Sequence, residues 1–145
     1  MSILVLSAMF TACQSNEDKE KNQIHNIMLD KAEHKELQNS QNGITLVMEK
    51  KQYLTTDKEL TATIQNDSDI EISYGRHFSI QKKIDKTWYS VPFKTDLFED
   101  IGLRLRPHGI SQETFSLIRL KDALSPGEYR FLKSFNVFNE DFPVE

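Results

Sequence analysis

From Gly43 onward, hydrophobic and polar residues alternate along the chain. Ile44, Leu46 and Met48 alternate with Thr45 and Glu49; Leu60, Ala62 and Ile64 with Thr61, Thr63 and Gln65; Ile70, Ile72 and Tyr74 with Glu71 and Ser73. Phe78, Ile80 and Ile84 share a parity with Lys82, and Tyr89, Val91 and Phe93 share another with Trp88 opposite. Phe115 and Leu117 continue the pattern, and Tyr129, Phe131, Phe135 and Val137 make the longest aromatic face. A period of two places one face of each segment in a core and the other in water, which is the antiparallel strand pattern. Turn-forming residues separate the runs: Asn66-Asp67-Ser68-Asp69, Gly75, Asp85-Lys86, Pro107-His108-Gly109 and Pro126-Gly127. The spacing predicts an all-β domain of about seven short strands, a sandwich or a barrel. Phe98–Leu105 is the ambiguous stretch, with room for a helical turn.

The residues before Gly43 follow other rules. Residues 1–13 carry no charged side chain. Residues 14–42 hold 10 charges among 29 residues, six apolar residues and no aromatic, Gly or Pro. A segment so charged and without aromatics buries too little surface to offset its ordering entropy. Ile24, Ile27, Met28 and Leu37 form only a weak helical stripe within Asp18–Gln38. The expected division is therefore 1–12, then 13–42 as a charged tether, then a folded domain over 43–145. That last part holds all five glycines, all four prolines and 13 of the 14 aromatics.

The run Ile3–Phe10 is too short to span a bilayer as a helix, which needs ~20 apolar residues, but it has the length of a signal-peptide apolar region. It ends in Phe10-Thr11-Ala12-Cys13, and the polar Gln14-Ser15-Asn16 follow at once. This resembles the lipobox of bacterial lipoproteins, in which small residues precede an acylated cysteine. The resemblance implies a diacylglyceryl group on the Cys13 sulfur, removal of residues 1–12, and an extracytoplasmic, membrane-anchored chain. Two acyl chains anchor stably where one does not. Two positions depart from the family. Phe10 stands where Leu is usual, and no Lys or Arg precedes the apolar run. The second points to a start lying inside a longer signal segment.

Two features favour an immunoglobulin-like sandwich over a barrel. Leu124-Ser125-Pro126-Gly127-Glu128-Tyr129 has the form of a tyrosine corner entering a penultimate strand, where the hydroxyl bonds back to the preceding loop. Trp88 lies mid-domain, although no disulfide packs against it. Gly43-Ile44-Thr45-Leu46, Thr63–Asp69, Tyr74-Gly75, Lys86–Pro92 and Leu124–Phe131 together resemble a family of bacterial immunoglobulin-like domains. The resemblance spans about Gly43–Phe135. Such domains are often carried by secreted or lipid-anchored proteins of Gram-positive bacteria, and the family brings no established catalytic residues. After Asn139-Glu140-Asp141, only Phe142–Glu145 is left for a final edge strand.

Composition narrows the chemistry. A net charge of −4 leaves no electrostatic footprint for nucleic acid. A single cysteine excludes an internal disulfide and a cysteine-based zinc site. The chain has no G-x-S-x-G elbow, H-E-x-x-H, phosphate loop or dinucleotide fingerprint. His25 and His34 in the tether lack companion ligands. His77 and His108 read as exposed turn or strand-end residues, and the adjacent Glu99 and Asp100 point apart. Asp67-Ser68-Asp69-Ile70-Glu71 imitates the start of a calcium loop, but Ile72 and Phe78 occupy its glycine and bidentate glutamate positions. A turn with side-chain hydrogen bonding is the plainer reading. Arg104 and Arg106 share a strand face, and Arg76 joins them only if the fold brings it near. No catalytic residue, metal or cofactor is implied. The expected function is a lipid-anchored binding or scaffolding module with a protein partner in the cell envelope. The alternative is a regulatory lipoprotein that inhibits or senses for an envelope enzyme or a stress or antibiotic response.

Overall fold

The alternating segments become two sheets packed face to face. The structure, a computed structural model, describes residues 2–13, 31–32, 36–95 and 97–137. Among the described residues, the first sheet holds seven strands: β1 (Ser2–Cys13), β4 (Gln52–Leu54), β6 (Ile72–Tyr74), β7 (Ser79–Ile84), β8 (Thr87–Ser90), β9 (Leu103–Leu105) and β11 (Gly127–Val137). The second holds four: β2 (Ser40–Gln41), β3 (Ile44–Met48), β5 (Glu59–Asn66) and β10 (Ile110–Ser116), in the order β10-β5-β3-β2. The apolar parity of each strand faces the other sheet: Leu46 from β3, Leu60, Ala62 and Ile64 from β5, and Phe131 and Phe135 from β11 are all fully buried. Phe78 lies at the centre of an aromatic cluster, its ring centroid 5.0 Å from Phe115, 5.3 Å from Phe93, 5.5 Å from Phe131 and 5.7 Å from Phe98.

Strand β11 organises the larger sheet. One edge pairs with β1 over its whole length, from Gly127↔Ala12 to Val137↔Ser2. Its other partners are β7, at Glu128–Leu132, and β6, at Asn136–Val137. Beyond these, β7 pairs with β8, and β6 with β9. The tyrosine corner is formed as expected: Tyr129 Oη donates to Ser125 O at 2.5 Å. Lys82 Nζ donates to Ser125 Oγ from β7, which ties the corner to the neighbouring strand.

Local turn chemistry sets the hairpins. Asn42 and Gly43 both have positive φ, 53° and 82°, as a two-residue type I′ connection between β2 and β3 requires. A Cβ on Gly43 would also lie 3.1 Å from Ser68 N. Asp85 and Lys86, at φ 48° and 68°, make the same connection between β7 and β8. The Asn-Gly pair places a strand before Gly43, so the hairpin opens at Ser40.

Three expectations differ from the structure. Residues Ser2–Cys13 are strand β1 of the sandwich, not a segment apart from it. Leu4, Leu6, Ala8, Phe10 and Ala12 are buried, and Phe10 stacks on Tyr129 at 5.4 Å and meets Tyr53 edge-on at 5.5 Å. The run suits a signal segment because it is apolar, and it suits a strand because one parity is apolar throughout. Nor does the described part of the tether stand clear of the domain. Lys31 bridges to Tyr89, Ala32 N donates to Trp88 O, and Ser7 N donates to Gln38 O. Finally, the helical turn falls at Leu117–Arg119, while β9 occupies Leu103–Leu105. The helical stripe, apart from Leu37, and the final strand at Phe142–Glu145 lie outside the described residues.

Leu6→Ala in β1 should cost about 2–5 kcal/mol of stability, as for a buried leucine elsewhere in a core. Met9→Thr on the outer face should stay within about 0.5 kcal/mol. Tyr129→Phe should cost ~1 kcal/mol by removing the corner hydrogen bond. Urea denaturation of the three variants measures all of these. A Leu6→Ala chain as stable as wild type would contradict the placement of β1.

Candidate functional site

The inward parity of β11 reads Tyr129, Phe131, Lys133, Phe135, Val137, so the strand drives one lysine into an aromatic face. Lys133 is 1% exposed. Its ammonium donates to Gly75 O at 2.6 Å and His77 O at 2.7 Å, where the chain turns out of β6. Its stem and head pass between rings, with Nζ 5.5 Å from the centroid of Tyr74 and 5.3 Å from that of Phe115. Carbonyl acceptors and ring faces compensate part of the cost of taking the charge out of water. Beside it, Tyr74 Oη donates to Glu113 Oε1 on β10 at 2.8 Å, a polar bond linking the two sheets.

Burial pulls the Lys133 pKa down from 10.5 to about 8; Glu113 opposes the fall and Arg76 adds to it. Burial pushes Tyr74 up from 10.0 to about 12; Ser111 opposes this, and the carboxylate of Glu113 adds to it.

An open cleft of 220 Å³ adjoins this cluster, lined by Arg76, Glu99, Glu113 and Arg119 over Phe78 and Phe98. The guanidinium carbon of Arg119 lies 4.0 Å from the centroid of Phe98, and its Nη2 donates to Leu97 O. His77 meets the same ring edge-on at 4.8 Å. The cleft thus carries charges of both signs over apolar rings. The lining offers the hydroxyls of Thr114 and Ser116, with no histidine or cysteine among its residues to activate them.

The residues singled out from sequence fall at separate places. Arg76 lines the cleft, while Arg104 and Arg106 lie exposed elsewhere, Arg104 paired with Glu71 at 3.5 Å. The fold does not gather the three. In the turn resembling a calcium loop, the organising residue is Asn66, fully buried. Its Nδ2 donates to Ile70 O, Leu105 O and Arg106 O, and its Oδ1 accepts from Ser68 N and Oγ. Asp67 takes the amide of Gln65, and Asp69 pairs with His108 at 2.9 Å. Among the described residues, no three His, Cys, Asp or Glu are grouped to hold a metal ion. Glu99 and Asp100 are exposed, and only Glu99 lines the cleft. His25 and His34 lie outside the described residues. Cys13 is exposed at the end of β1, where its carbonyl accepts from Thr55 N. Sequence reasoning missed Lys133, Glu113 and Asn66. The signal for Lys133 was its parity, because it shares a face with three aromatics.

Lys133 sets a pH dependence. Between about 8 and 10.5 the unfolded chain holds a proton that the native chain has released, so stability rises with pH across that window. The full effect is on the order of 3 kcal/mol. Tyr74 acts in the opposite sense between about 10 and 12, since the native state keeps its proton longer. Urea titrations should therefore show wild type gaining stability from pH 8 to 10, and Lys133→Met should flatten that rise. An unchanged slope in the variant would remove Lys133 as its source.

No helix among the described residues is long and apolar enough to cross a membrane. Comparison with curated proteins and with solved structures finds no match. A protein-family model, described as a bacterial Ig-like domain, matches residues 40–144. Its start coincides with the β2–β3 hairpin, and it takes in both the tyrosine corner and most of the sandwich. The chain belongs to the bacterial immunoglobulin-like domain family.

Proposed function

We propose that this chain is an extracytoplasmic binding or scaffolding module, held at the bacterial membrane by a diacylglyceryl group on Cys13, with a protein partner in the cell envelope. Cys13 carries the reading. It is the only cysteine, it is exposed, and it stands between Phe10-Thr11-Ala12 and Gln14-Ser15-Asn16. Membership of the immunoglobulin-like family supports binding over catalysis, as does a cleft with mixed charge over aromatic rings.

The anchor has a structural consequence. The bond between Ala12 and Cys13 lies inside the sheet, where Ala12 is buried and paired with Gly127. A signal peptidase grips an extended, accessible chain, so cleavage there precedes closure of the sandwich. It keeps β1 out of the sandwich and leaves the β11 edge to be filled.

Cells expressing wild type should incorporate labelled fatty acid into this protein, and cells expressing Cys13→Ala should not. The mature wild-type protein should begin at Cys13 by mass. Equal labelling of the two chains overturns the anchor.

A further inference from the structure

In immunoglobulin sandwiches the strand beside the tyrosine-corner strand, on the side away from its earlier partners, is the last in the chain. Here the first strand fills that lane. β1 runs antiparallel to β11, and its Thr11–Cys13 end pairs in parallel with β4. Three observations mark β1 as a replaceable occupant. Only β11 is bonded to it along its whole length; on the other side β4 reaches three of its residues and Gln38 O takes Ser7 N. It is joined to β2 by a long connection, from residue 14 to residue 39, in which the chain can be cut without touching either strand. Its outer face also exposes apolar side chains, alongside the polar Ser7 and Thr11. Ile3 is 64% and Met9 65% exposed, with Val5 beside them, where β5 turns Thr61, Thr63 and Gln65 outward and β11 turns Ser134 and Asn136. A strand suited to that lane would be apolar inward and polar outward.

We infer that the β1 lane is an acceptor site for an extended segment of another polypeptide, added antiparallel to β11. Main-chain bonds to β11 supply affinity, and alternate side chains supply specificity. The occupant's chemistry follows from β1. It has apolar residues at the places of Leu4, Leu6, Ala8, Phe10 and Ala12, and polar ones between. It is small opposite Phe131, where Ala8 sits, and aromatic opposite Tyr129, where Phe10 sits between two tyrosine rings. It carries no charge opposite Lys133, where Leu6 sits. The inference rests on the lipid-anchored reading only for the step that leaves the lane empty; in the uncleaved chain β1 is the occupant.

The test uses the full chain, in a Cys13→Ser background, with a protease site placed between residues 14 and 30. The folded chain is cut, and β1 remains held by the sheet alone. The probe is a fluorescent peptide of Ser2–Ala12 with Ile3, Val5 and Met9 changed to Thr. The cut chain should take up this peptide and release unlabelled β1, as read by anisotropy and mass. The same peptide with Leu6→Asp and Phe10→Asp should bind at least ~100-fold more weakly, since it buries two carboxylates. A chain locked by an oxidised Val5→Cys, Ser134→Cys pair, two residues opposite each other in the ladder, should take up none. If cutting unfolds the chain, titrating the peptide should restore its circular dichroism. No uptake and no refolding, or equal uptake of the carboxylate peptide, overturns the acceptor site whatever the fatty-acid labelling shows. Uptake without Cys13-dependent labelling upholds the site and overturns processing as the step that opens it.

Discussion

Strand β11 lies in the middle of its sheet, and its main chain has to be bonded on both sides. Unpaired N–H and C=O groups away from water cost about as much as lost hydrogen bonds. Its inward residues, Tyr129, Phe131, Lys133 and Phe135, are the largest fully buried side chains among the described residues. They hold the two sheets together. On one side β6 and β7 satisfy the strand in relay, and on the other β1 does so along its whole length. The order of the larger sheet, the position of the tyrosine corner and the burial of β1 all follow from completing that ladder.

Polar groups inside the sandwich serve the same end. Asn66 is buried because its amide replaces backbone partners that a turn leaves unbonded. It joins β5 to the loop after β9 without a strand between them. Lys133 does the equivalent at the other end of the core, closing two carbonyls beyond β6. Each removes an unmet hydrogen bond where the sheets part, and each fixes the register of the strand that carries it. The lysine keeps its charge at neutral pH because ring faces, carbonyl oxygens and Glu113 offset part of the desolvation.

The strands after Gly43 were legible because amphipathic alternation is a local property: each run records which of its sides faces water. The corner was legible because Pro-Gly followed by Tyr constrains a short stretch of backbone. The cleft was not. Arg76, Glu99, Glu113 and Arg119 come from four separate stretches of chain, and only the packing of β6, β10 and the following turn brings them together. Arg104 and Arg106 looked like companions to Arg76 by charge, yet β9 lies at an edge of the sheet and carries them away from it.

The N-terminal run shows the division most plainly. Residue order alone shows that residues 3–12 are uncharged, mainly apolar and followed by a single cysteine and a polar stretch. Those properties are shared by a signal segment and by a buried strand, because both are selected for leaving water. Which strand such a run pairs with depends on the open edge of β11, more than 100 residues away. That pairing is settled in the folded molecule, since an edge exists only once the sheet has formed.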